Sequence, residues 1–115
     1  MALIAVTDVV PTGVQESLSA AAGGGDEFVN EGNTMFIVNN GDVSAKTVTF
    51  DSPNADNFGV TDASHDAVKS IPAGETHIFG PFRKDQFNDA NGRVQVSYSA
   101  VTSVTVGAFK FQGKN

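Results

Sequence analysis

Asp51, Asn54, Asp56, Asp62 and Asp66 place five oxygen-bearing side chains in one stretch, and closely spaced oxygen donors are what a hard cation such as calcium selects. The spacing lacks the alternating acidic series, the central glycine and the closing glutamate of a calcium loop. The stretch therefore reads as a solvated loop whose Asp and Asn residues make turns. Ser64, His65 and Asp66 set a hydroxyl, an imidazole and a carboxylate in succession. Neighbours along an extended chain point apart, a catalytic triad is a three-dimensional arrangement, and no nucleophile elbow is present. His65 and His77 are the only histidines, and lone surface histidines are far commoner than a metal site built from two. Gly23-Gly24-Gly25 leads into Asp26-Glu27, whose charge would repel a phosphate, where a phosphate loop continues with Gly-Lys-Ser/Thr. No catalytic residue, cofactor or metal ligand is expected, and the chain reads as a non-enzyme.

Composition narrows the classes further. A chain of 115 residues makes one domain, able to bury roughly two thirds of its unfolded surface. It has no cysteine, so its core must hold without disulfides. The start, Met1 to Asp8, lacks a basic region and a long apolar run, and nothing approaches the roughly 20 apolar residues of a membrane helix. A soluble chain without a signal peptide or membrane partner is expected. The net charge of −6 disfavours nucleic acid, which is bound through basic neutralisation of phosphates. Ten of the thirteen acids precede residue 67 and six of the seven bases follow it, an asymmetry that survives in space only if the two parts do not interleave.

The elements that must position any site are strands. From Val68 to Tyr98, the turn signals Pro72-Ala73-Gly74-Glu75 and Asn91-Gly92 separate three runs rich in Val, Ile, Phe and Tyr. Val94, Val96 and Tyr98 alternate with Arg93, Gln95 and Ser97, so one face is buried and the other wet. Ile78, Gly80 and Phe82 are expected on one face with Phe79 on the other, in a strand that lies at an edge or ends at Gly80 because Pro81 has no N–H. Thr34 to Val38 reads as a central strand, and residues 34–50 as a hairpin turning at Asn40-Gly41, with Val48 and Phe50 inward. Leu3 to Val10 makes a first strand, and Val14 to Ala22 either a second strand or a helical turn and a half. A bulge at Gly107 would bring Val104, Val106, Phe109 and Phe111 all to the core. These short strands predict an all-β fold, a single-domain antiparallel β-sandwich of jelly-roll or immunoglobulin-like type.

Three segments carry a resemblance. Gly25-Asp26-Glu27-Phe28-Val29-Asn30 leads to Gly32 through Gly41. Ile71-Pro72-Ala73-Gly74-Glu75-Thr76 is followed by Phe79-Gly80-Pro81-Phe82, and Phe87-Asn88-Asp89-Ala90 by Val94 to Tyr98. Together they resemble small structural proteins of tailed bacteriophages, of the head decoration or capsid cement type, over roughly residues 25–111. The resemblance implies a virion protein on the outer surface of the phage head, made in the host cytoplasm. It implies binding to the major capsid protein, commonly as a homo-oligomer and by preference a trimer. A neck or tail component is the alternative within virions. A virion-surface glycan-binding module is another, against which the lack of Trp and the single Tyr count.

On this reading residues 1–24 form an N-terminal arm or docking strand hinged at the three glycines, and residues 25–115 form the sandwich. Contacts to capsid or neighbouring subunits are assigned to Leu3, Ile4 and Val6 on the arm, to Asp56, Asn57, Phe58 and His65 in the long loop, and to Arg83 and Lys84 beyond Pro81.

Overall fold

The computed structural model describes residues 2–15, 17–53 and 66–111. The strands are β1 (Ala2–Ile4), β2 (Val6–Val9), β3 (Ser19–Ala20), β4 (Asp26–Val29), β5 (Thr34–Asn40), β6 (Lys46–Phe50), β7 (Ala67–Ile71), β8 (Thr76–Phe79), β9 (Arg93–Tyr98) and β10 (Val104–Phe111). One helical turn, α1 (Lys84–Phe87), precedes β9. The strands form two sheets, β1-β4-β9-β6-β7 and β2-β10-β5-β8, with β3 pairing with β10 beside β2. The fold is all-β, a single-domain sandwich as the strand pattern predicts.

From residue 26 onward every pairing is antiparallel. The leading segment adds one parallel strand to each sheet, β1 beside β4 and β2 beside β10. The expected first strand is therefore split at Ala5, where the chain passes from one sheet to the other. Among the described residues of 14–22 only Ser19–Ala20 is regular, and it is strand. β5 lies beside β8 in one sheet while β9, β6 and β7 adjoin in the other. The outermost body strands β4 and β10 sit on opposite sheets, each then covered by a leading strand.

Two expected hairpins are sheet-to-sheet connections instead. β5 and β6 belong to opposite sheets, so Gly41 to Ala45 crosses the end of the sandwich. Pro72 to Glu75 does turn, closed by the Glu75 N–H to the Pro72 carbonyl and with Gly74 at φ +78°, but it joins β7 to β8 across the sheets. Buried Asn40 explains both. Its side-chain amide donates to the carbonyls of Ser44 and Ile71, and its Oδ1 accepts from the Asp42 N–H, holding the two crossings together. Asn30 does the same at the other end, donating to Phe82 O and Asn88 Oδ1 and accepting from Gly32 N–H.

The core lies between the sheets. Phe28 stacks on Phe36 at 4.9 Å, Phe36 meets Phe50 edge-on at 5.7 Å, and Phe82 packs on Phe50 at 4.9 Å. Val38, Val48, Ile71, Val94, Val96, Val104 and Val106 fill around them. Each such ring pair adds about 0.5–1.5 kcal/mol beyond its buried area. Phe82 is on the core side with Phe79 while Ile78 faces out, contrary to the expected alternation. The strand ends at Phe79, and Gly80 turns the chain at φ +128°, where a Cβ would sit 2.9 Å from the Thr34 carbonyl oxygen.

The expected bulge at Gly107 is absent. β10 pairs with β5 in unbroken steps from Val104 with Asn40 to Lys110 with Thr34. Strict alternation then sends Val104, Val106 and Ala108 inward and Gly107, Phe109 and Phe111 outward. Phe109 is nevertheless only 4% exposed. The residue 17–18 segment lies over this outer face, where a Cβ on Gly107 would stand 2.7 Å from Leu18 Cδ2 and 3.1 Å from the Phe109 ring. Glycine is needed there for close approach, not for a phase slip.

Candidate functional site

The proposed contact residues fall into three groups. Leu3 is exposed on β1, opposite Glu27 of β4. Ile4 and Val6 are half-buried and pack against the core. Leu3 and Ile4 also line a small depression of about 210 Å³ with Ala5, Thr7, Ser17, Ser19, Val106 and Gly107, where the leading strands change sheets. Arg83 and Lys84 lie at the start of α1, beside a groove of about 380 Å³ shared with Gly32, Pro81, Phe82 and Asp85. The Arg83 guanidinium is bonded to Asp85 at 2.8 Å, and both side chains stand in solvent, so the pair contributes little to stability. Asp56, Asn57, Phe58 and His65 lie outside the described residues. Leu3 and Ile4 on the one hand and the Arg83-Lys84 pair on the other thus line separate depressions.

A further cluster is assembled by pairing that the expected hairpins had obscured. β6 and β7 pair across the long loop, with Phe50 opposite Ala67, which brings Asp51 and Asp66 side by side. The Ser52 N–H donates to Asp66 Oδ1 at 2.8 Å. Burial pushes the Asp51 carboxyl above the ordinary range, and the neighbouring charge of Asp66 pushes the same way. With Thr49, Gln95, Val96 and Ser97 they line a depression of about 300 Å³ on the first sheet. Gln95 is itself held by Glu27 and Asp89, each at 2.7 Å. Among the described residues no group of three or more His, Cys, Asp or Glu is placed to hold a metal ion. His77 bonds Glu75 at 2.8 Å, and His65 is outside the described residues.

Other charges close the fold. Lys46 begins β6 on the inward side and is 5% exposed, its ammonium 2.6 Å from Asp42 Oδ2 and 2.8 Å from Ser44 Oγ. The Lys46 hydrogen bond, with help from the Val43 N–H, holds the Asp42 carboxyl below its ordinary range. Arg93 pairs with Glu27, and Lys110 lies near both Asp8 and Glu31. Bases of the later part thus meet acids of the earlier part, and the asymmetry along the chain is partly cancelled in space.

The second sheet carries a feature of the opposite kind. Its outward positions bring Ile37 between Gly107 and Ile78, Met35 beside Phe109, and Phe111 beside Val9. Ile78 is 65% exposed and Phe111 52%. The signal was present in Thr34 to Val38, where apolar residues occupy both parities of the strand. Among the described residues the edge strands β7 and β8 each pair on one side only, and no helix is long and apolar enough to cross a membrane. Comparison with protein-family models, with curated proteins and with solved structures finds no match.

Proposed function

We propose that this chain is a non-enzymatic structural protein of a virion, a decoration or cement protein that binds the outside of a tailed-phage head and bridges neighbouring major capsid subunits. The observation that carries the reading is the pair of open sheet edges. Among the described residues β7 and β8 each leave one side of their main chain unpaired, and they present an exposed β-branched residue, Val68 and Ile78. Such an edge accepts a strand from a neighbour, with main-chain hydrogen bonds giving affinity and alternate side chains giving fit. The body behind these edges is closed at both ends by the buried Asn30 and Asn40 networks and can act as a rigid spacer. The three segments that resemble phage head proteins support the same reading, and they include β4, β5 and Val94 to Tyr98 of β9.

The test is co-sedimentation of the purified protein with empty heads that lack it. Saturable binding to heads, with raised thermal stability of the loaded shells, is the expected result. Binding to tails or necks but not to heads moves the protein along the virion. Capture of glycans with no particle binding overturns the reading.

A further inference from the structure

We propose that Asn91-Gly92 is a site of spontaneous covalent modification, at which the asparagine side chain closes on the following main-chain nitrogen and reopens as aspartate or isoaspartate. Asparagine is labile before glycine because no side chain hinders that nitrogen. The chain holds this pair twice, as Asn40-Gly41 and Asn91-Gly92, and both carry the sequence signal of a turn. The fold separates them. Asn40 has no exposed surface, its amide donates to the Ser44 and Ile71 carbonyls, its Oδ1 accepts the Asp42 N–H, and the Gly41 N–H donates to the Ser103 carbonyl at 2.9 Å. Bringing the Asn40 side chain onto the Gly41 nitrogen means opening the crossings at that end of the sandwich.

Asn91 is exposed in the turn before β9, and its side-chain amide bonds no other described residue. A Cβ on Gly92 would meet nothing within 4 Å, so there is room for an imide ring and for water. The Gly92 N–H is held by the Asp89 carbonyl at 3.1 Å, a surface bond that water replaces when the turn opens. With its proton taken by solvent base, the Gly92 nitrogen attacks Asn91 Cγ. The new C–N bond forms, the Cγ–Nδ2 bond breaks, and the amide nitrogen leaves as ammonia with a proton from water. Water then adds to either carbonyl of the imide. Opening on one side leaves aspartate, and on the other isoaspartate, whose main chain runs through the former side chain and is longer for it. Both products add a negative charge to a chain already at −6. The isoaspartate also stretches the turn in which the Asp89 N–H donates to the Arg93 carbonyl at 2.8 Å and the Gly92 carbonyl accepts the Asn30 N–H at 3.0 Å. It thereby loosens the end of the sandwich that Asn30 closes through Phe82 and Asn88.

Ageing of the full chain in mildly alkaline buffer at physiological temperature, followed by peptide mapping in a mass spectrometer, tests it. The expected result is the mass gain of NH replaced by O in the peptide carrying residue 91, at least about tenfold faster than in the peptide carrying Asn40. In urea the two pairs react at similar rates, which assigns the difference to the fold. Asn91→Ser removes the gain, and circular dichroism checks that the aged samples stay folded. Labelling by an isoaspartyl methyltransferase reads the isoaspartate. Asn91→Asp carries the added charge without the longer main chain, so it melts above the isoaspartate fraction. Equal rates at the two pairs in the folded protein, or no gain at residue 91 while the urea-unfolded chain converts, overturns the proposal. An isoaspartate fraction as stable as Asn91→Asp overturns the loosening of the turn.

Discussion

The hydroxyl of Tyr98 donates a 2.7 Å hydrogen bond to Oδ2 of Asp26, a carboxylate with no exposed surface. The same oxygen accepts the Ala22 N–H, while Oδ1 has no hydrogen-bond partner. One carboxylate thereby ties β4 and β9 to the turn that ends the leading segment, closed by the Gly25 N–H to the Ala22 carbonyl. Tyr98→Phe removes a donor from this buried oxygen and should cost about 1–3 kcal/mol in urea unfolding. Burial, then the bond and charge of Asp26, push the Tyr98 hydroxyl far above its ordinary value of 10.0. The folded protein holds this proton after the unfolded chain has released it, so stability should fall as pH rises beyond 10.0. Tyr98 is the only tyrosine and there is no tryptophan, so ultraviolet absorbance reads its ionisation alone. Phenolate should appear only together with loss of the β circular dichroism signal. Its appearance in the folded protein near the ordinary value would contradict the buried bond.

Asp51 offers a stability gain by substitution. Its raised affinity for a proton means that the unfolded chain ionises first as pH rises through 3.8, and the folded state then bears the cost of ionising beside Asp66. Asp51→Asn should raise stability at neutral pH, by under about 1 kcal/mol since the site is partly solvated. The gain should shrink as pH falls through the Asp51 range, where the wild-type carboxyl is protonated. Asp42 acts in the reverse sense, because the Lys46 bond lowers its range and its contribution is lost as pH falls below 3.8. Urea midpoints of wild type and Asp51→Asn across acid and neutral pH check the sign.

Phe109 and Phe111 share an outward parity but differ in cover. Phe109→Ala empties a site that is 4% exposed and should cost about 3–5 kcal/mol in denaturant. Phe111→Ala, on a residue 52% exposed, should stay within about 1 kcal/mol. Equal losses in the two variants would mean that Phe111 is covered within its own chain.

The sequence made strand existence legible and strand partnership much less so. Val94, Val96 and Tyr98 on β9, and Val48 and Phe50 on β6, face inward as their alternation requires, because period two depends only on the local chain. Which sheet a strand joins depends on distant groups. Asn40 looks like a turn residue in Asn39-Asn40-Gly41, yet it is buried and bonded to Ile71, a connection 31 residues long that no local pattern records. Gly107 resembled a bulge for the same reason, since the Leu18 side chain that demands a glycine lies far back in the chain. Of the proposed contacts, Leu3, Arg83 and Lys84 are on exposed surface, whereas Ile4 and Val6 also serve the core. The Asp51 and Asp66 pair could have been found from Thr47 to Phe50 and Val68 to Ile71 as two strand runs flanking one loop.

Deleting residues 1–24 separates the two roles of the leading segment. In the structure β1 and β2 pair with the chain's own β4 and β10, and Ala21 enters the core, so the segment covers one edge of each sheet. The seven strands β4 to β10 keep all their mutual pairings without it, and Phe28, Phe36, Phe50 and Phe82 stay in contact. The truncated chain should therefore retain a β circular dichroism spectrum, with a lowered melting temperature from the lost burial of Ile4, Val6 and Ala21. Uncovering β4 and β10 leaves two further open edges, so light scattering should detect non-specific association that the full chain does not make. If the segment also docks onto neighbours, head binding should fall by more than the loss of stability accounts for, measured at a temperature where the truncated chain is folded. Complete unfolding of the truncated chain would make residues 1–24 part of the folding core and end the arm reading.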